Sequence, residues 1–411
     1  MRICLCCFVW MLLCFSVKAA PGVQLGNEVL ATNGFKELQG KRVGLLTNPS
    51  GVNRALDLTI DVLRSARSVK LVALFAAEHG LAGNVPAGIE YPNSTDKRTG
   101  LPVYSLYGPG PTRRPTPKML QDLDALVYDI QDTGCRSYTF ISSMGLAMEA
   151  CAEAGVEFIV LDRPNPLGGE RIEGPLLDSR FRSMVGQWRI PYVYGLTSGE
   201  LARMINGEGW IKKACKLTVV PMRGWQRHMV WRDTGLLWVP TSPYIPQGDS
   251  PLHYVSTGIL GQIGGVSIGI GYTLPFQCIA APWLDGDKFS EILNGYGLPG
   301  VKFQRISYVP FYGAFHGKTN QGVQVFFTDA RRAPLMAINY YALDAVKKSA
   351  GRDLFAEAVK SKRNFEMLDK VNGTDAIRKA LSDGRSPASL VQSWKADEEA
   401  FRKQRAKYLL Y

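Results

Sequence analysis

The sequence predicts an α/β protein: a mostly parallel sheet with helices on both faces, followed by a smaller α+β domain. Three observations carry this. Four apolar runs in the first 165 residues each end in a polar residue able to do chemistry. Three of those runs are rich in Val, Ile or Leu and are followed by a stretch with helical spacing, the βα pattern of a sheet buried on both faces. Near residue 240 the texture changes: "VPTSPYIPQGDSP" holds four prolines in thirteen residues, and regular βα alternation stops.

Residues 1–20 read as a secretory signal peptide. Arg2 gives a positive start, Ile3 to Val17 an apolar core, and Val17 and Ala19 the small residues before a cut near Ala19 or Ala20. A membrane anchor would need roughly 20 apolar residues, more than this stretch offers. A lipid-modified Cys14 would want small residues where "MLL" stands. Export makes the expected location periplasmic or secreted.

The first domain is placed at 21–245. Its strand "RVGLLTN" ends at Asn48, and Leu58, Ile60, Val62 and Leu63 form a helical stripe after it. "VKLVALFAAEHG" ends at Glu78 and His79. Residues 80–117, rich in Gly, Pro and Asn, are expected to form a long irregular loop that covers the pocket, with "LPVYSLYG" as a short strand inside it. "DALVYDIQDTG" brings Asp129 and Asp132. "SYTFISSMGLAMEACAEAG" is a helix stopped by Gly155. "VEFIVLDRPNP" ends at Asp162, Arg163 and Asn165. "LTSGELARMINGEG" is helical from about Ser198, with Thr197 or Ser198 as N-cap, and "CKLTVVPM" is a further strand.

The second domain is placed at 246–411. It opens on the glycine-rich, alternating "GILGQIGGVSIGIGYTLPF", holds the strand "GVQVFFTD", and ends in two amphipathic helices at roughly 334–350 and 387–407. Ligands of parallel sheets bind beyond the carboxyl ends of the strands. The four strand ends are therefore expected to converge on one pocket of carboxylates, a histidine and an arginine.

The chain carries 48 basic and 36 acidic residues, a net charge of +12, two of which leave with Arg2 and Lys18. A basic exported protein meets anionic partners such as cell-wall polymer. No nucleic-acid-binding signature is present, and export argues against nucleic acid. Four of the eight cysteines leave with the signal. Cys135, Cys151, Cys215 and Cys278 remain, none in a CxxC pair, so a structural zinc site is not expected; disulfides and free buried thiols both stay open. "GPGP" and "GGVSIGIG" are not followed by the helix that a phosphate loop requires, so no nucleotide cofactor is expected, and no metal or other cofactor either.

At "LFAAEHG", "YDIQDTGCRSYTF" and "LDRPNPLGG" the sequence resembles the exo-β-N-acetylmuramidase NamZ family. "LLTNPSGV", "LTSGELARMINGEGW", "GTDAIRKAL" and the closing "SWKADEEAFRKQRAKYLLY" extend the resemblance over the whole mature chain. It implies a Rossmann-like catalytic domain with a smaller auxiliary domain, and release of N-acetylmuramic acid from non-reducing ends of peptidoglycan fragments. One region departs from the family pattern. Gln262 stands where a glutamate is usual, Gly265 where an asparagine is, Ile270 where an arginine is, and Gln277 where a second glutamate is. First-domain chemistry is expected to persist, with substrate preference or activity altered.

Breaking a glycosidic bond needs a proton for the leaving oxygen and stabilisation of an oxocarbenium-like transition state. Glu78, at the end of an apolar strand, is the expected acid. Asp129 and Asp132 are the expected partners that stabilise charge or position water, although strand faces alternate and the two need not point the same way. Inverting, retaining and N-acetyl-assisted routes all stay open. For substrate binding, Arg136 and Arg163 suit the lactyl carboxylate, and Asn48, His79, Tyr138, Asp162 and Asn165 suit hydroxyls. Two rival readings are a metal-dependent hydrolase using His79, Asp129, Asp132 and Asp162, and a peptidoglycan-binding protein that has lost catalysis.

Overall fold

The computed structural model describes residues 22–108 and 113–411; the expected signal peptide lies outside them. The first sheet has seven strands: β1 (Arg42–Thr47), β2 (Lys70–Ala76), β3 (Ser94–Thr95), β4 (Pro102–Ser105), β5 (Ala125–Asp129), β6 (Glu157–Leu161) and β7 (Leu217–Val220). Their order is β3-β4-β2-β1-β5-β6-β7. Every pairing is parallel except β3 with β4 at the edge. The chain runs outward from β1 through β2 and returns to β5 on β1's other side, so the strand order reverses between β1 and β5.

The alternation of the strands sorts the core into two layers. Leu126, Tyr128, Phe158 and Val160 face the helices Phe140–Ala154 and Ser198–Gly207. Ala125, Val127, Ile159 and Leu161 face the helices Gly26–Thr32 and Thr59–Ser65. The helix Phe140–Ala154 ends at Gly155 in the left-handed region (φ 74°), where a side chain would be strained. The helix from Ser198 starts with a capping box: Thr197 accepts from the Glu200 N–H while the Glu200 side chain accepts from the Thr197 N–H. The described parts of the stretch 80–117 are more ordered than its composition suggests. They contribute β3 and β4, and β4 adds to the sheet beside β2.

The second sheet is antiparallel, ordered β8-β10-β9, with β8 (Cys278–Ala281), β9 (Val301–Tyr308) and β10 (Asn320–Phe327). It packs with the helices Ser250–Ile263, Gly286–Gly295 and Leu335–Ala350 around one apolar core. The opening of the glycine-rich segment, expected to alternate, belongs to the helix Ser250–Ile263, which stops at Gly264. The long helix expected at 387–407 is broken at Trp394 into Pro387–Ser393 and Lys395–Arg405. Trp394 is buried in the second core, while Phe401 and Tyr408 return to the first sheet's core. The four cysteines among the described residues are buried free thiols. Among the described residues no helix is long and apolar enough to cross a membrane.

Candidate active site

The reversal between β1 and β5, where an open sheet ordinarily binds its ligand, is filled by protein. Thr47 donates to the Asp129 carbonyl at 2.8 Å. Asn48 donates to the Thr241 carbonyl at 2.9 Å and accepts from the Ser50 N–H at 2.9 Å. Thr241 in turn donates to the Gln131 carbonyl at 2.7 Å. A space of only about 10 Å³ remains beside Ser50, Gln131 and Arg163. Asn48, expected to contact sugar, instead ties the first strand end to the proline-rich segment that leads into the second domain.

The strand ends do not converge on one pocket. Asp129 shares its sheet face with Ala125 and Val127, so it points beneath the two helices on that side. There it is fully buried and takes Arg163 through Nε at 2.5 Å and Nη2 at 3.0 Å, Thr59 at 2.5 Å and Asn27 at 3.4 Å. This is an internal ion pair with its acceptors filled, and neither Asp129 nor Arg163 is presented to a ligand. Asp162 is also fully buried. It accepts from Thr197 and Tyr411, both at 2.7 Å, from the Gly199 N–H at 2.8 Å and from the Arg163 N–H at 3.0 Å. Burial lifts its carboxyl to about 6 against the pull of these donors.

Arg136 corrects the expectation of a carboxylate clamp. It is fully buried, and its guanidinium donates to the carbonyls of Pro175 (2.8 Å), Ile190 (2.7 Å) and Val371 (3.0 Å). Burial lowers its pKa to about 10. Asn165 likewise spends itself on backbone: it donates to the Leu196 carbonyl and accepts from the Leu167 N–H, both at 2.9 Å. Gly134 (φ 76°) passes so close that a Cβ there would sit 2.2 Å from the Asn165 side-chain oxygen.

Glu78 stands apart. It is only partly buried, and each oxygen is held by one donor, Oε1 by the Gly88 N–H at 2.7 Å and Oε2 by the Thr139 hydroxyl at 2.5 Å. The loop that supplies Gly88 is braced by His79, whose backbone adopts the left-handed region (φ 72°). His79 Nδ1 lies 2.9 Å from the Val85 carbonyl. A carbonyl can only accept, so in the neutral ring Nδ1 carries the proton and Nε2 is left as an acceptor.

Tyrosines surround Glu78. Burial pushes the hydroxyls of Tyr91 (to about 12), Tyr107, Tyr138 and Tyr254 up, and the charge of Glu78 adds to each shift. Tyr138 bonds Ser242 and meets Tyr254 edge to face at 5.4 Å. Tyr254 bonds Ser137 at 2.9 Å and opens onto a cleft of about 550 Å³ that reaches Gln262, Gly265 and Ile270. Those are three of the four departures noted in the sequence. Gln277 is buried and is not on this lining.

Asp132 is buried close to Tyr138 and Tyr254, whose hydroxyls its charge also pushes up. Its Oδ2 accepts from Tyr194 and from the Gly134 N–H (2.7 Å), while Oδ1 has no partner among the described residues. Burial raises its carboxyl to about 6, opposed by those donors. Thr139, Tyr254, Ser242 and Tyr194 escaped the reading of the sequence. Thr139 alone had a local signal, being a hydroxyl one residue from Tyr138 at the start of a helix. His79, Asp129, Asp132 and Asp162 are each held by separate partners, and the described residues contain no cluster of three or more metal-ligating side chains.

Comparisons with known proteins identify the family and the fold. Residues 43–249 match the family model described as exo-β-N-acetylmuramidase NamZ, N-terminal, and residues 252–411 match its C-terminal counterpart. The chain is 41% identical to the peptidoglycan β-N-acetylmuramidase NamZ of Bacillus subtilis, over 95% of this chain and 92% of that protein. A crystal structure of a DUF1343 family protein from Bacteroides fragilis superposes with a TM-score of 0.88 at 48% identity, covering 95% of this chain and 99% of that one. A second from the same organism gives 0.72 at 29% identity, with the same coverage. With both domain models matched in order across the two sheets described above, the chain belongs to the exo-β-N-acetylmuramidase NamZ family.

Proposed function

We propose that this chain is an exo-acting glycoside hydrolase that releases N-acetylmuramic acid from non-reducing ends of peptidoglycan fragments, with Glu78 as the acid. One observation carries the reading. Of the carboxylates at the strand ends, Glu78 is the one left partly exposed, with Tyr91, Tyr107, Tyr138 and Tyr254 around it, while Asp129 and Asp162 are consumed inside the protein. The Bacillus subtilis relative's name, a peptidoglycan β-N-acetylmuramidase, supplies the substrate class.

In this reading Glu78 protonates the leaving oxygen, and the Gly88 N–H and Thr139 hydroxyl fix the direction of its carboxyl. Asp132 is the second carboxylate and acts on the transition-state charge or on the substrate's N-acetyl group. The tyrosine hydroxyls supply hydrogen bonds to sugar. Work on cell-wall fragments fits the signal-like start of the sequence, and we place the mature protein in the periplasm or outside the cell.

A second reading keeps binding without turnover. It is favoured by Gln262, Gly265 and Ile270, which line the cleft beside Tyr254 without a charge. Release of free N-acetylmuramic acid from the MurNAc–GlcNAc disaccharide decides between the two. The glycosidase reading expects release by the parent, loss in Glu78→Gln, and indifference to chelator. Saturable binding of the disaccharide with no release would sink it.

A further inference from the structure

Away from Glu78, a cleft of about 770 Å³ opens between the segment 175–189 and the C-terminal helices. Its volume lies within the roughly 300–1,000 Å³ of small-ligand sites. Its wall is a parallel pair of indoles: Trp188 and Trp210 stack with centroids 6.5 Å apart and planes 7° apart. Trp188 is the buried member and donates its indole N–H to the Ile141 carbonyl at 2.9 Å. Trp210 is only partly covered and leaves a flat apolar surface toward the cleft.

The rim is polar and carries both signs of charge, Arg182 and Arg189 beside Asp397 and Asp178, the last held by Arg180 at 2.6 and 2.9 Å. Arg182 lies over the Trp188 ring at 5.7 Å, and the Gln187 amide, turned so that its oxygen faces the guanidinium, accepts from it at 2.6 and 2.8 Å. Arg189 is exposed and has no ion-pair or hydrogen-bond partner among the described residues. The Asp397 side chain is occupied by the Leu176 N–H at 3.0 Å. A flat indole beside an unpaired guanidinium suits a ligand with an apolar ring face and a carboxylate. A pyranose presents axial C–H groups to an aromatic plane, and an acidic sugar adds the carboxylate.

Contacts through the protein connect the cleft to the surroundings of Glu78. Trp188 packs on the helix that begins one residue after Thr139, the donor to Glu78. The buried guanidinium of Arg136 grips the carbonyls of Pro175 and Ile190, the first on the cleft lining and the second next to Arg189.

We infer that this cleft is a second carbohydrate-binding site, which holds an acidic amino-sugar segment of the glycan apart from the place of cleavage. The inference rests on the glycosidase reading for the identity of the glycan. Its effect is tethering: a fragment held here stays at high local concentration near Glu78 between turnovers.

The test measures binding of a MurNAc–GlcNAc tetrasaccharide to the full chain in the Glu78→Gln background, with Trp210→Ala, Trp210→Phe and Arg189→Ala added singly. Disaccharide hydrolysis is measured with the same substitutions in the parent. The expected result is loss of one of two binding sites, or a weakening of about fivefold to tenfold, in Trp210→Ala and Arg189→Ala. Trp210→Phe should retain most binding, and disaccharide turnover should stay unchanged in all three. Binding equal to the parent in both Trp210→Ala and Arg189→Ala overturns the inference. If Trp210→Ala fails to fold, the exposed Arg189→Ala decides alone. If no protein hydrolyses the disaccharide, the glycosidase reading fails, while the contrast in tetrasaccharide binding still decides the cleft.

Discussion

The ends of β2 and β5 start from the same sequence pattern and arrive at opposite fates. Each is an apolar strand closing on an acid. At the end of β5, Asp129 keeps the strand's register, turns beneath the helices and is neutralised by Arg163. At the end of β2, Glu78 lies two residues past the last paired position, where the chain has already left the sheet. Among the described residues its donors are a loop N–H and a threonine hydroxyl. A carboxylate within the register of a sheet buried on both faces must find an internal partner, because an unpaired charge there costs several kcal/mol. Glu78, beyond that register and partly exposed, remains available.

The sharpest way to break this contrast is to empty each end in turn. Asp129→Ala leaves the Arg163 guanidinium buried without its counter-ion and should cost about 3–5 kcal/mol of stability. Urea unfolding would read this as a large fall in the midpoint, and an unchanged midpoint would refute the internal role. Glu78→Gln should do the reverse. Turnover of the MurNAc–GlcNAc disaccharide should drop by about 10²–10⁴-fold, while the unfolding midpoint moves little.

Acid titration sharpens the comparison further. Asp132 and Asp162 have folded pKa values raised to about 6 from 3.8. The folded state therefore holds their protons where the unfolded chain has released them. The resulting stabilisation is present below about pH 4 and is lost as pH rises from there through 6, on the order of 3 kcal/mol for each group. Asp132→Asn should flatten the dependence of the melting temperature on pH between 4 and 6. A parallel curve would show that Asp132 does not contribute it. The smallest effect is expected at Thr139. Losing its hydrogen bond to Glu78 in Thr139→Ala should lower kcat by about fivefold, and Thr139→Ser should restore it. Equal rates in the alanine and serine variants would discount the hydroxyl.

The strands of the first sheet were legible because a strand buried on both faces is a nearly unbroken apolar run, and β1, β2, β5 and β6 are such runs. Glu78 and its neighbour were legible because they directly follow one. The fates of Asp129 and Asp162 were not, since their partners lie far away in sequence: Asn27 and Thr59 for one, Thr197 and Tyr411 for the other. Arg136 misled for the same reason, because three backbone carbonyls, invisible in a string of residue types, claim its guanidinium. The break at Trp394 was hidden by a continuous amphipathic pattern whose two halves serve different cores.

The hydrogen bond between Tyr411 and Asp162 spans 249 residues. Translation at roughly 5–20 residues per second separates the emergence of the two partners by on the order of ten to fifty seconds. During that interval β6 carries an acid whose coordination is incomplete, so the first sheet completes its packing only once Tyr411 has emerged. Ribosome-stalled chains halted before residue 400 should accordingly remain protease-sensitive around Asp162, and resistance at that stage would show that the first domain completes itself without the later segment.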